Sequence, residues 1–227
     1  MSVRVVAIDG AAGSGKSTLA RGLARALGVP YVNTGLMYRA LTRAAIEGEV
    51  DATDVTALVE VMRSLEFDLD RGDPPELTVG GARPGEELQN AEIEAHVSQV
   101  AAHPEVRALM HAEQRRLGER GVVMEGRDIG SVVFPDAPVK IYLVADPAVR
   151  AHRRVLERRE RAPGGEEDGA GPGVERALHQ RDERDMEVNA FEAPRGGVVL
   201  DTTELDVEGT VQAALTLIRA EAPELLP

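Results

Sequence analysis

AIDGAAGSGKSTLA, residues 7–20, is the stretch that decides the fold. Residues 3–8 form a short β-rich apolar run, and residues 17–27 repeat apolar side chains at helical spacing before stopping at Gly28. A strand that breaks at glycine and re-emerges as a helix presents backbone N–H groups and the positive end of a helix at one place. The pattern G-x-x-x-x-G-K-[ST] is met by Gly10, Gly15, Lys16 and Ser17. Across Gly10, Ala11, Ala12, Gly13, Ser14, Gly15, Lys16, Ser17 and Thr18 the expected geometry is a loop wrapped around the α- and β-phosphates of a nucleotide. Lys16 is placed to reach the β/γ oxygens, and the Ser17 hydroxyl to bind Mg²⁺. The loop alone does not say whether the nucleotide is sensed, hydrolysed or used as a donor.

Working outward, the 227 residues and 43% hydrophobic content suit one compact α/β domain with insertions. Cysteine is absent, which removes disulfides and thiolate metal sites. Residues 1–8 lack the flanks of a signal peptide and no apolar run approaches spanning length, so a soluble cytoplasmic protein with no membrane partner is expected. The net charge of −13, with 39 acidic against 26 basic residues, argues against a general nucleic-acid binder. The basic residues are 24 Arg and only two Lys, Lys16 and Lys140. Arginine forks suit phosphate, and in so acidic a chain a local Arg cluster marks a candidate anion site.

The remaining chain alternates strands and helices. A strand is expected at 29–32, followed by a helix through about 46 that is capped by Asn33 or Thr34. A helix over 54–65 precedes a turn-rich stretch, 66–88, that reads as a small β-hairpin insert outside the core. Helices follow at 90–102 and 104–120, the latter starting on Pro104. Residues 122–125 and 139–145 are apolar strands of the kind buried on both faces of a parallel sheet. An Arg-rich helix over 146–161, a Gly/Pro/acid loop over 162–173, a helix over 174–187, a strand at 198–201 and a helix over 207–222 complete the pattern. The fold class is therefore α/β, a parallel sheet flanked by helices with two excursions, about 66–88 and 150–188.

A second pocket is written at the strand ends, the edge where open parallel sheets bind ligands. NTGLMYR (33–39) follows the second strand, with Thr34 read as the helix cap and Tyr38 and Arg39 one turn further on. EGRDIG (125–130) follows the third strand and sets Arg127 and Asp128 between glycines. Arg150, Arg154 and Arg158 share one helical stripe at i, i+4, i+8, where like charges repel unless an anion neutralises them. Arg181, Asp185 and Val188 form a matching stripe beyond the 162–173 loop, so the pair reads as a lid closing over phosphates.

These residues carry a family. IDGAAGSGKST, TGLMYRALT, SQVAAHPEVR (98–107), EGRDIGSVVFPDAPVKIYL (125–143), RAHRR (150–154) and RDERD (181–185) resemble bacterial cytidylate kinases, within the nucleoside monophosphate kinases, and the likeness runs from about residue 4 to 218. The resemblance implies a single P-loop kinase domain with a five-stranded parallel sheet: a core (about 1–65, 104–149 and 189–227), an NMP-binding insert (about 66–103) and a short lid (about 150–188). It implies transfer of the ATP γ-phosphoryl group to CMP or dCMP; Mg²⁺ is expected with the ATP, and a monomer is the default expectation. By matching position, Thr34, Tyr38, Arg39 and Arg127 would line the acceptor phosphate. Ser98, Arg107 and Asp128 would face cytosine, and Arg181 and Asp185 would lie near the ribose and phosphates. Lys16, Arg127, Arg154 and Arg181 would gather round the moving group, with Arg150 and Arg154 toward ATP.

Cytosine chemistry agrees with that set. Its N4 amino group wants a carboxylate, and its N3 and O2 want donors, which Asp128, Arg107 and Ser98 supply. Two places depart from the family. The usual R-D-x-x-D-x-x-R ends here in Val188, and Leu88-Gln89-Asn90 stands for Ile-Arg-Thr. The competing readings are a kinase for UMP or another small acceptor, and an ATP-binding regulator that has lost transfer.

Overall fold

The computed structural model describes residues 4–161, with side chains through 156, and residues 193–226. The expected loop at 162–173, the helix at 174–187 and the expectations for Arg181, Asp185, Val188 and the Arg158 side chain lie outside the described residues.

The central sheet joins β1 (Val5–Gly10), β2 (Tyr31–Asn33), β5 (Val122–Gly126), β6 (Val139–Val144) and β7 (Val198–Asp201) in the order β2-β5-β1-β6-β7. Every pairing is parallel. The five strands and their flanking helices bear out the expected fold class. β1 lies at the centre and is buried along its whole length. Because side chains alternate across a strand, Val5 and Ala7 enter one apolar cluster and Val6 and Ile8 the other. That is why the run reads as continuously apolar.

α1 (Lys16–Leu27) and α7 (Val207–Glu221) cover one face of the sheet. Leu19, Leu23 and Leu27 of α1 and Ala214, Leu215 and Ile218 of α7 pack with Ile8 and Ile141. α2 (Thr34–Glu47), α3 (Val55–Ser64), α4 (Ala91–Ala102) and α5 (Pro104–Gly118) cover the other face, with Met37, Leu41, Leu58, Ile93, Val106 and Met110 all in the second cluster. Among the described residues no helix is long and apolar enough to cross a membrane.

The hairpin forms as expected, from β3 (Phe67–Leu69) antiparallel to β4 (Leu77–Val79). It packs more deeply than its turn-rich sequence indicates. Phe67, Leu77 and Leu88 are each only 3% exposed and belong to the same cluster as Met37 and Leu58. The reading of this stretch as lying outside the core is corrected. Few apolar residues are enough when each points inward from a two-residue period.

The register decides where chemistry can sit. Asp9 pairs with Gly126 and Tyr142, and Asn33 with Glu125. The carboxyl ends of β1, β2 and β5 therefore finish side by side, and three loops leave from the same edge. α6 (Pro147–Arg161), which follows β6, rises from that edge too.

Candidate active site

The loop after β1 is shaped by backbone that only glycine tolerates. Gly10 has φ +146°, and a Cβ there would stand 2.3 Å from the Leu143 carbonyl oxygen. Gly13 has φ +74°, and its Cβ would meet the Arg150 carbonyl oxygen at 2.9 Å. The loop is thus pinned between β6 and the foot of α6. α1 begins directly after it with no side chain capping its first turn. Uncapped N–H groups at a helix start are an anion site. Lys16 folds back so that Nζ donates to the Ala11 carbonyl at 2.7 Å.

The loop after β5 is held by a residue that the sequence reading did not single out. Asp9, at the end of β1, is 2% exposed. Its two carboxylate oxygens accept the N–H groups of Ile129 and Gly130, each at 2.8 Å. These are the first amides of a one-turn π-helix, Ile129–Val133, whose own cap residue, Asp128, contributes no side-chain cap. With Asp9 doing the capping from another strand, the Asp128 carboxylate is turned away to meet Arg107 and the His111 Nε2, the latter at 3.0 Å. Arg107 and His111 lie four apart on α5 and so share a face. Arg127 leans the other way and donates to the Gly10 carbonyl. Burial pushes the Asp9 carboxyl up to about 6 even though both amides and Lys16 favour its ionised form.

The third loop starts α2. Asn33, not Thr34, is the cap, accepting the Leu36 N–H at 3.2 Å. Thr34 has entered the helix, and its hydroxyl donates to the Glu125 carbonyl at 2.8 Å. The expectation that Thr34 caps is corrected: Asn33 still has extended backbone, which the cap position requires. Glu125 itself is buried and accepts the Tyr31 hydroxyl at 2.5 Å. Arg39 is buried as well, with Nη1 on the Leu88 carbonyl at 2.9 Å and Nη2 on Glu94 at 2.7 Å.

Together these loops enclose one cavity of about 400 Å³. Among the described residues its walls carry Lys16, Arg21, Arg39, Arg107, Arg127 and Arg154 against Glu125 and Asp128. In a chain of net charge −13 that is a local inversion of sign, and it defines an anion pocket. Ala12, Gly13, Gly15, Lys16, Ser17 and Thr18 line one end. Thr34, Tyr38, Arg39, Ser98, Arg107, Arg127 and Asp128 line the rest, with Arg154 above. Gly10, Ala11 and Ser14 shape the loop from behind, and Arg150 does not line the cavity but braces the loop by donating to the Ala12 carbonyl at 3.1 Å. Tyr38 is buried with its hydroxyl unpaired within the protein, and burial raises its ionisation well above the usual phenol range. That hydroxyl is the cavity's orphaned polar atom and is ready for a ligand.

The sequence reading also passed over Arg21, Glu94 and His111. Arg21 sits over the Tyr31 ring, 5.3 Å from its centre, and faces the cavity. Leu88–Asn90, where the sequence departs from the family pattern, is fully used: Leu88 offers its carbonyl to Arg39, Gln89 lines the cavity, and Asn90 caps α4 through the Ile93 N–H at 2.8 Å.

A family model described as cytidylate kinase matches residues 6–220. The chain belongs to the cytidylate kinase family. A cytidylate kinase of Deinococcus deserti is 43% identical over 210 residues, 92% of this chain and 96% of its own. One of Limosilactobacillus fermentum is 40% identical over 209 residues, 91% of each. At the level of fold alone, a gluconokinase of Sinorhizobium meliloti aligns over 99% of this chain and 97% of its own with a TM-score of 0.51 at 16% identity.

Proposed function

We propose that the protein is a cytoplasmic, monomeric kinase that transfers the γ-phosphoryl group of ATP to CMP or dCMP. The observation that carries this is the single cavity in which Gly15–Thr18 and the trio Ser98, Arg107 and Asp128 face one space. ATP lies on the loop and the start of α1. The acceptor phosphate lies on Thr34, Tyr38, Arg39 and Arg127, and cytosine on Ser98, Arg107 and Asp128. Asp128 accepts the N4 amino group that uracil lacks, so CMP is preferred over UMP. Arg181 and Asp185 complete the acceptor side in this reading.

The reaction is an in-line displacement. A phosphate oxygen of CMP attacks the γ-phosphorus, the bond to the β–γ bridging oxygen breaks, and ADP and CDP result. No general base is needed, because the acceptor phosphate is already ionised. The chain's own residues supply position and charge: Lys16 neutralises the β/γ oxygens, Arg127 ties the acceptor to the loop through Gly10, and Arg154 brings a further positive charge to the cavity.

Mg²⁺ fits a site of this kind. Ser17 lines the cavity below the loop, and the described residues contain no group of three or more His, Asp or Glu that would hold a cation by themselves. The Ser17 hydroxyl would hold such a cation together with the nucleotide phosphates. When bound it screens charge on the β- and γ-phosphates.

The test is ATP consumption with CMP, dCMP, UMP and AMP offered side by side. Turnover that requires CMP or dCMP is expected. Turnover indifferent to the acceptor, or ATP binding with no CDP formed, would overturn the reading.

A further inference from the structure

Glu94 stands where an anion is expected. It sits in the first turn of α4, and a single oxygen, Oε1, accepts from Arg39 Nη2 at 2.7 Å and from Arg154 Nη2 at 2.9 Å. The two arginines come from different elements, α2 and α6, and both line the cavity. The three side chains are shielded, with 8%, 18% and 23% of the Arg39, Arg154 and Glu94 surfaces exposed. Two guanidinium groups brought to one point repel unless a negative charge lies between them. Here that charge is a carboxylate of the chain itself.

We propose that Glu94 is a built-in competitor of the acceptor phosphate, a specificity-determining residue that a doubly charged oxyanion such as a phosphomonoester displaces from Arg39 and Arg154. The inference rests on the reading of Arg39 as an acceptor-phosphate residue. A carboxylate carries one charge, whereas a phosphomonoester carries nearly two at neutral pH, since its second proton leaves near pH ~6. The phosphomonoester also presents three oxygens, the geometry that arginine forks engage best. Singly charged anions such as chloride and free carboxylates gain nothing over Glu94 and are turned away. A dianion gains both charge and hydrogen bonds and takes the pair. Discrimination is bought by raising the concentration of acceptor required, since every binding event first displaces an internal ligand already in place.

The experiment compares wild type with Glu94→Gln and Glu94→Asp, measuring KM for CMP and competitive inhibition by inorganic sulfate. Gln keeps the shape and removes the charge, so KM for CMP should fall about five- to tenfold. Sulfate should tighten by at least as much, because it no longer competes against a tethered anion. Glu94→Asp, which keeps the charge on a shorter stem, should fall between the two. Sulfate binding is also followed by calorimetry without turnover, and melting temperature verifies that each variant is folded.

An unchanged KM and sulfate affinity in Glu94→Gln overturns the proposal. So does a raised KM, which would make Glu94 a support for Arg39. A wild type with no CMP-dependent turnover sinks the reading of the substrate instead. The calorimetric comparison still decides whether Glu94 competes with anions.

Discussion

Asp9 and Gly130 sit on separate elements, yet an oxygen of the Asp9 carboxylate accepts the Gly130 amide at 2.8 Å. The other oxygen holds Ile129 at the same distance. One buried carboxylate thus fixes the loop that carries Arg127 and Asp128 to the strand that launches the phosphate loop.

That carboxylate makes stability depend on pH in a definite direction. Its folded value is about 6 against an ordinary 3.8. Between the two, the folded protein binds more protons than the unfolded chain, so stability from this group is full below 3.8 and is lost as pH rises through about 6. The difference is on the order of 3 kcal/mol. Urea midpoints from about pH 4 to 7 should fall for wild type relative to Asp9→Asn. Parallel profiles would show that Asp9 does not titrate this way.

Asp128→Asn replaces an acceptor by a group that also donates. For CMP, kcat/KM should drop by about 10- to 150-fold, while the ratio of UMP to CMP turnover rises. Because Asp128 also meets Arg107 and His111, Asp128→Ala should lose CMP activity without gaining UMP. Steady-state kinetics on both acceptors check this. Equal losses on CMP and UMP in Asp128→Asn would remove Asp128 from base recognition.

Lys16→Ala should lower kcat about 10³-fold or more, with a smaller change in KM for the acceptor. Lys16 donates to the Ala11 carbonyl, a contact within the loop whose loss leaves the core intact. A melting temperature near wild type together with lost turnover is the expected pair of results. Near-normal turnover would sink the proposed mechanism.

Tyr31→Phe probes the wall behind the cavity. Its hydroxyl is a donor to the buried Glu125 carboxylate, and removing it leaves that charge short of a partner at about 2 kcal/mol. Thermal melting should drop by roughly 4–8 °C, with turnover of CMP affected less than stability. A melting temperature equal to wild type would show that Glu125 is satisfied otherwise.

The sheet and the phosphate loop were legible because their signals are local. A buried strand, a glycine break and an amphipathic helix lie within residues 3–27. Asn33 and Thr34 show the limit of such reading. Both are good cap residues, and the choice falls to Asn33 because the Glu125 carbonyl, 91 positions away, draws the Thr34 hydroxyl into the helix. Asp9 and Glu94 were passed over for the same reason. Their partners lie 120 and 121 residues away for Asp9, and 55 and 60 for Glu94. The Arg150–Arg154 stripe was visible, but its partners off the helix were not: Arg150 donates to the Ala12 carbonyl and Arg154 pairs with Glu94.

The close approach of Gly13 to the Arg150 backbone ties two distant parts of the gene into one unit of inheritance. Any side chain at 13 would meet the Arg150 carbonyl at 2.9 Å and lift the foot of α6. Arg153, three residues on, is clamped to Thr202 and Leu205, and the Thr202 hydroxyl also reaches the Ser14 carbonyl of the loop, so the helix has little room to yield. A chimera that transplants the phosphate loop without the helix following β6 would therefore carry the loop's sequence but not its shape. Designers recombining such kinases should cut outside the span from Asp9 to Leu205, never within it.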